Sequence, residues 1–492
     1  MTIGTLMLMI GIAAVVLSIL TGLFTDRLQN KPLSFLQFFS GVLFIVSGAV
    51  KAIDPLGTAY KMGQYFAAFE GVFKPTAASW ISPLFPWLAQ FTEGFAVGMI
   101  VLEIVLGIGL VIGFMPRLTA WIFLLLVLFF TVLTGFTYLT GYVPSEVNFF
   151  EFGKWGKYVA TNMKVTDCGC FGDFIKLEPR VSFIKDLVLL VPALAFVFLH
   201  SEMHRLFSPV LRNWVTGLSV PALMVYCFSN YVWDLPDVNF RPFREGVNIG
   251  EKKRQELEAL QNVKITAYRL TNKSDGRTLE IPFEQFLKEM SKYPAEAWEM
   301  EQVKSKPAIA PTKVSEFEVS NLDGQEVTEE LLSLQGYYFL VIAHHLEGGP
   351  EEIRTTVRDT VFLTDSARTA NSVEILPQMK LVESIRTTKT FRWEAAYLER
   401  WAGVVVPLAE AAAKAGINTV AVTAYADKGQ IEHFREKIGA AFPFLVADDI
   451  LLKTIIRSNP GVLLLKDGTI VKQWHYKKLP SFREINEQYI RN

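Results

Sequence analysis

The pattern of apolar and polar positions changes character near residue 235. Before that point, uncharged apolar runs recur, each near the roughly 20 residues that a helix needs to cross a bilayer. Six membrane helices are expected, at roughly 3–23, 33–53, 92–114, 118–139, 182–200 and 213–233. The first run has neither a basic start nor a small-residue cleavage site, so it reads as an anchor rather than a cleaved signal. Pro192 and Pro221 fall inside the last two runs, which membrane helices accept when neighbours satisfy the freed carbonyls. The 54–91 connection is rich in rings (Tyr60, Tyr65, Phe66, Phe69, Phe73, Trp80, Phe85, Trp87). Aromatic residues favour the membrane–water boundary, so an interfacial helix is predicted over 56–73.

After residue 235 the pattern becomes that of a water-soluble chain. Val263–Leu270 alternates as a strand, 272–276 is a turn, Arg277–Ile281 returns, and 283–292 reads as a short amphipathic helix. From about 313, strands and helices alternate. Glu316–Gly324 predicts strand and turn, Tyr337–Ala343 a buried strand, 394–415 a helix, and Thr419–Thr423 a strand. Residues 428–438 predict a helix and Phe444–Val446 a short extended piece. Pro460–Leu465 and Thr469–Trp474 pair around Asp467-Gly468. This alternation implies an α/β domain with a mainly parallel sheet. The expected organisation is a multi-domain chain: an all-α transmembrane domain over 1–235, a small β-rich linker domain over 236–312, and an α/β domain over 313–492.

Composition sharpens that division. The whole chain, at 492 residues, 51% hydrophobic, 20% charged and net charge -1, resembles an ordinary soluble protein. Yet 27 of residues 1–235 are Lys, Arg, Asp or Glu, against 70 of residues 236–492. The hydrophobicity excludes a disordered chain. The missing excess of basic residues excludes nucleic acid as an expected partner, leaving a lipid bilayer and another protein. Three cysteines exclude a disulfide scaffold. Arg27, Lys31, Arg117, Arg205 and Arg212 all fall in short loops of one face, which the positive-inside rule makes cytoplasmic. The loops 54–91 and 140–181, and everything beyond 233, are then outside.

The sharpest chemistry lies in Thr166-Asp167-Cys168-Gly169-Cys170-Phe171-Gly172-Asp173. On the outer face the compartment is oxidising. A disulfide between Cys168 and Cys170 would close a very small ring, with Gly169 allowing the bend. Strain makes such a bond easier to reduce, which suits exchange. Three readings stay open: a redox-active pair, a structural disulfide, and metal binding. Metal is the weakest, because no further Cys or His lies close enough in sequence to complete a site. Asp167 and Asp173 would oppose a thiolate, while Lys164 and Lys176 would support one. Cys227 reads as apolar filler. Glu103 is mid-span, where a carboxylate is costly; Lys51 and Asp54, and Lys185 and Asp186, lie near outer helix ends. Ion pairing between helices is expected, with a proton relay as the alternative.

Phe44–Pro55, Glu103–Gly107 with its following glycine-rich run, and Asp167–Asp173 resemble, in order and spacing, motifs of the DoxX/MauE-like membrane proteins. The resemblance covers about 33–200. It implies a four-helix core, to which the first and last spans are additions, and disulfide or electron-transfer chemistry serving maturation of a partner. Cys168 and Cys170 would be the redox pair, supported by Lys51, Asp54, Glu103, Asp167, Gly169 and Asp173. Asn239–Asn248 is similar to an element of the long members of that family. Residues 313–490 resemble a thioredoxin-like domain of the TlpA/peroxiredoxin-related type, with Asn459-Pro460 at the position of its cis-proline. The departure is large. The expected Cys-x-x-Cys is replaced by Ala343–Pro350, no cysteine follows Cys227, and an insertion of roughly 45 residues (346–392) separates strand from helix. His344 and His345 are expected in surface or capping roles, with metal binding the alternative.

Two functions follow as expectations. One is a bacterial inner-membrane component of thiol–disulfide exchange, with its C-terminal domain in the periplasm. The other is a non-catalytic scaffold of an envelope complex. No cofactor is evident, and no motif marks a quinone as electron acceptor.

Overall fold

The computed structural model describes residues 2–25, 28–165, 169–369 and 372–491. The chain divides into two compact units, Met1–Arg241 and Pro242–Asn492.

The first unit is helical: α1 (Ile3–Phe24), α2 (Lys31–Ile53), α3 (Pro55–Phe73), α4 (Leu84–Ala89), α5 (Thr92–Ile112), α6 (Pro116–Thr140), α7 (Pro179–Phe198) and α8 (Pro209–Phe228). All but α3 and α4 are long and apolar enough to cross a membrane, α8 with the π-turn that continues it to Trp233. Their starts are written in the sequence. Asn30, Asp54 and Ser208 each accept a first-turn N–H, and Pro55, Pro116, Pro179 and Pro209 open helices where no donor is missed. Helices α2 and α5 are largely buried, whereas α1 and α8 are mostly exposed. α1 packs on α2, α7 on α6, and α8 on α5. Exposed side chains such as Leu8, Ile12, Val132, Val191 and Leu218 make faces suited to a lipid bilayer.

The α2–α5 contact is very close. A Cβ on Gly107 would lie 2.7 Å from the Gly41 carbonyl oxygen and 2.9 Å from the Ile45 nitrogen; one on Gly48 would lie 2.4 Å from Ile104. Small residues let helix backbones meet in this way. The connection between α6 and α7 docks into the same core. Phe171 and Ile175 are buried with Phe44, Leu189 and Phe196, and Val165 packs with Tyr65 and Phe136.

The second unit runs α9 (Ile249–Gln261), β1 (Ile265–Asn272), β2 (Thr278–Pro282), α10 (Phe283–Glu289), β3 (Trp298–Lys304), α11 (Thr328–Leu332), β4 (Tyr337–Ala343), β5 (Gly348–Thr369), β6 (Ser372–Trp393), α12 (Ala395–Arg400), α13 (Val406–Lys414), β7 (Asn418–Ala424), α14 (Lys428–Ile438), β8 (Phe444–Ala447), α15 (Asp449–Ile455), β9 (Gly461–Lys466), β10 (Thr469–His475) and α16 (Phe482–Ile485). It holds mixed sheets. The main one has the order β10-β9-β4-β7-β8, with β4, β7 and β8 parallel and β9 and β10 antiparallel. A small antiparallel sheet, β2-β1-β3, carries α10 through Phe286, Leu270 and Ile281. The core gathers Phe339, Tyr397, Trp401, Phe434, Phe444 and Leu464. Residues 246–248 extend the main sheet: Gly246 donates to Ile470 at 2.8 Å, and Ile470 to Val247 at 2.9 Å. This pairs the start of β10 at the sheet edge, shortening the open template that an edge strand presents.

Three local differences from the sequence pattern have physical causes. Glu316–Gly324 contains no strand, only isolated bridges from Ser320 to Glu326 and Val446. The buried Glu256 carboxylate accepts from Thr312 N and Ser315 N, at 2.9 and 3.1 Å, and winds the preceding residues into turns. The 394–415 helix is split by a π-turn at Trp401–Val405, because Pro407 has no N–H for the Gly403 carbonyl. The 346–392 insertion is largely the β5–β6 hairpin, two 22-residue antiparallel strands.

Gly107→Ala is therefore expected to destabilise the helical unit by about 1–3 kcal/mol through overpacking. Gly98→Ala, where a Cβ meets nothing within 4 Å, should cost nothing measurable. Thermal unfolding in detergent compares the two.

Candidate functional site

Six elements enclose one space at the end of the helical unit where α2 and α6 finish and α7 begins. Its lining includes Ser47 and Lys51 of α2, Lys61 and Tyr65 of α3, Glu103 of α5, Thr134 of α6, and Lys185 and Asp186 of α7. Gly169, Cys170 and Phe171 of the α6–α7 connection complete it. The space is about 60 Å³, room for a few water molecules.

Helical spacing explains why these side chains meet. Ser47 and Lys51 are four apart and share one face of α2. The Gly48 approach sets that face against α5, so Lys51 Nζ reaches Glu103 Oε2 at 2.7 Å, with both side chains at most 5% exposed. Lys51 also lies over the Phe130 ring, 5.0 Å from its centre. On α7, Lys185 Nζ lies 2.5 Å from Asp186 Oδ1, and Thr134 Oγ1 donates to Asp186 Oδ2 at 2.9 Å. Lys51, Glu103 and Asp186 are thus buried and each is paired, Asp186 with the partly exposed Lys185, as a low-dielectric setting requires.

The cysteine segment is pinned above them. Ser47 Oγ donates to the Cys170 carbonyl at 2.8 Å, and Phe171 anchors the next residue in the core. Gly169 has φ +61°, and a Cβ there would press to 3.3 Å from Lys61 Cγ. The positive φ favours glycine here, and the Lys61 side chain would have to give slightly to admit a Cβ. Cys170 is half-buried. Burial pushes its thiol above the ordinary range; Lys185 and Lys51 pull it down, and Asp186 and Glu103 push with the burial.

Of the sequence-expected residues, Lys51, Glu103, Gly169 and Cys170 come together. Asp54 is elsewhere, accepting Gly57 N–H at 3.1 Å as the cap of α3. Asp173 lies 3.7 Å from Lys176 at the surface side of its loop. Asp167 and Cys168 lie outside the described residues. Ser47, Lys61, Tyr65 and Thr134 were not expected from the sequence. The signal for the first was its i, i+4 relation to Lys51; Lys61 and Tyr65 show the same spacing on α3.

Pro460 sits in a separate polar cluster of the C-terminal unit, and the Asn459–Pro460 peptide is cis. Asn459 Oδ1 accepts from His344 N at 3.0 Å, and its Nδ2 donates to the His345 carbonyl at 3.0 Å. Arg400 Nη1 donates to Glu347 Oε1 at 2.8 Å and to the Asn459 carbonyl at 3.1 Å. Tyr397 Oη donates to the His345 carbonyl at 3.1 Å. His344 is buried, with Nε2 2.7 Å from the Ile456 carbonyl, and burial pushes it down to about 3. These groups satisfy one another.

No family model, curated protein or solved structure matches the chain.

Two outcomes follow. Lys51→Met should destabilise the helical unit by about 3–5 kcal/mol by stranding Glu103, while Lys51→Met with Glu103→Leu recovers most of that loss. Equal losses in unfolding experiments would contradict the pairing. For His344, the unfolded chain takes up its proton near pH 6.5, well above the folded value of about 3. Its stabilising effect is thus complete above about pH 6.5 and drains as pH falls toward 3. His344→Gln should flatten the acid limb of a plot of Tm against pH between those limits.

Proposed function

We propose that this is a multi-pass inner-membrane protein that exchanges thiol and disulfide with a protein partner through Cys168 and Cys170. In this reading it is a long DoxX/MauE-like protein. Its C-terminal unit is a periplasmic, thioredoxin-like domain that binds the partner and contributes no thiol of its own.

One observation carries the reading: Cys170 lines the same enclosed space as two buried ion pairs. Charges inside an apolar helical unit are costly and tend to mark function. A disulfide that only staples a loop has no need of them. The exchange is balanced within two proteins. A thiolate of the pair attacks one sulfur of a partner disulfide, the mixed disulfide forms, and the partner's other sulfur leaves as thiolate. The second cysteine then attacks the mixed bond, closing Cys168–Cys170 and releasing the reduced partner. The reverse sequence oxidises a partner dithiol.

The domain assignment rests on the main sheet order and the helices between β4 and β8. A second reading, a non-catalytic scaffold, is favoured by the C-terminal unit alone. It has no cysteine, and the polar groups around Asn459 are occupied with one another.

Cells expressing Cys170→Ser, with free thiols trapped by an alkylating mass tag, distinguish the two. Exchange predicts a reducible adduct between Cys168 and a partner chain. A wild-type pair that stays fully oxidised, with no adduct in the variant, supports the scaffold instead.

A further inference from the structure

The two buried ion pairs beside Cys170 are not equivalent. Lys51 and Glu103 face each other across the closest helix contact, and both are almost completely enclosed. Lys185 and Asp186 are neighbours on one helix, where adjacent side chains diverge by about 100° and do not ordinarily face each other. Asp186 is 1% exposed and is also held by Thr134 Oγ1. Lys185 is 18% exposed and bends back to reach it. Asp186 therefore keeps a hydrogen-bond donor if Lys185 turns away, whereas Glu103 has no such second donor among the bonds described above.

We propose that Lys185 is a positioning residue, the counter-ion that the Cys170 thiolate borrows from Asp186. With Cys170 as a thiol, Lys185 rests on Asp186. When the thiol releases its proton to water in the enclosed space, the ammonium moves to the sulfur, and Thr134 continues to hold the carboxylate. The other ionisable groups lining the space are Lys51 on α2, Lys61 and Tyr65 on α3, and Glu103 on α5; α6 offers only the neutral Thr134. Lys51 is committed to Glu103, and Lys61 donates to Gln64 Oε1 at 3.0 Å. The direction agrees with the opposing effects of Lys185 and Asp186 on that thiol.

This inference rests on the exchange reading for its purpose, but its test does not. The full chain carrying Cys168→Ser and Cys227→Ala leaves Cys170 as the sole thiol. Its alkylation by iodoacetamide is followed against pH in detergent. Lys185→Met should raise the apparent pKa of Cys170 by at least about one unit and slow reaction at pH 7 about tenfold. Lys185→Arg should restore the rate to within about threefold. Asp186→Asn should act in the opposite sense, freeing the cation and speeding the reaction, which keeps the test open if Lys185→Met fails to fold. Lys154→Met, at a surface lysine paired with Glu151 outside the space, should leave the profile in place. A profile unmoved by Lys185→Met, or slowed by Asp186→Asn, overturns the counter-ion role even if partner adducts form in cells. Absent adducts with the predicted shifts would overturn the exchange reading alone.

Discussion

A charge inside an apolar helical unit must be matched, and the rest of the N-terminal unit is arranged around that requirement. Lys51 and Glu103 are 52 positions apart in the chain. They meet only because Gly41, Gly48 and Gly107 let α2 and α5 approach backbone to backbone. The same approach turns Ser47 toward the α6–α7 connection, where it holds the Cys170 carbonyl. Helix packing, ion pairing and placement of the thiol are thus one construction. Desolvation makes each charge expensive, and the pairing offsets that cost only while the geometry is kept.

The six apolar helices were legible in the sequence because length and lack of charge suffice to identify them. Their pairing was not. Glu103 stands out as a mid-span carboxylate, but the reach of Lys51 to it depends on glycines whose meaning appears only when two helices touch. Asp54 shows the limit of proximity in sequence. It lies three residues from Lys51, yet its carboxylate caps α3. Thr134 gave no signal, since a threonine in an apolar helix ordinarily bonds its own backbone; the Phe130 carbonyl, also at 2.9 Å, competes with Asp186 for the one hydroxyl proton.

In the C-terminal unit, β4, β7, β9 and β10 were legible from apolar runs and from the Asp467-Gly468 turn, whose positive φ angles of 48° and 76° suit a tight hairpin. Glu316–Gly324 misled because its alternation reflects burial of Phe317 and Val319 without a neighbouring strand: Val319 N donates to the Thr328 hydroxyl, and only Ser320 makes isolated bridges. Helix α9 was missed, and with it the way residues 246–261 pair the start of β10 and supply the Glu256 carboxylate. Such ties join positions more than 200 apart, as Asn248 joins Asp467 and Thr469, and no local pattern encodes them.

The proposed exchange requires a pair that is neither permanently oxidised nor permanently reduced. Equilibrating the full-length protein with thiol–disulfide buffers of graded potential, then counting tagged cysteines, measures this directly. The account predicts that Cys168 and Cys170 titrate within the range of redox-active pairs, roughly -120 to -270 mV. A pair that remains oxidised below about -300 mV, as stable structural disulfides do, would contradict it.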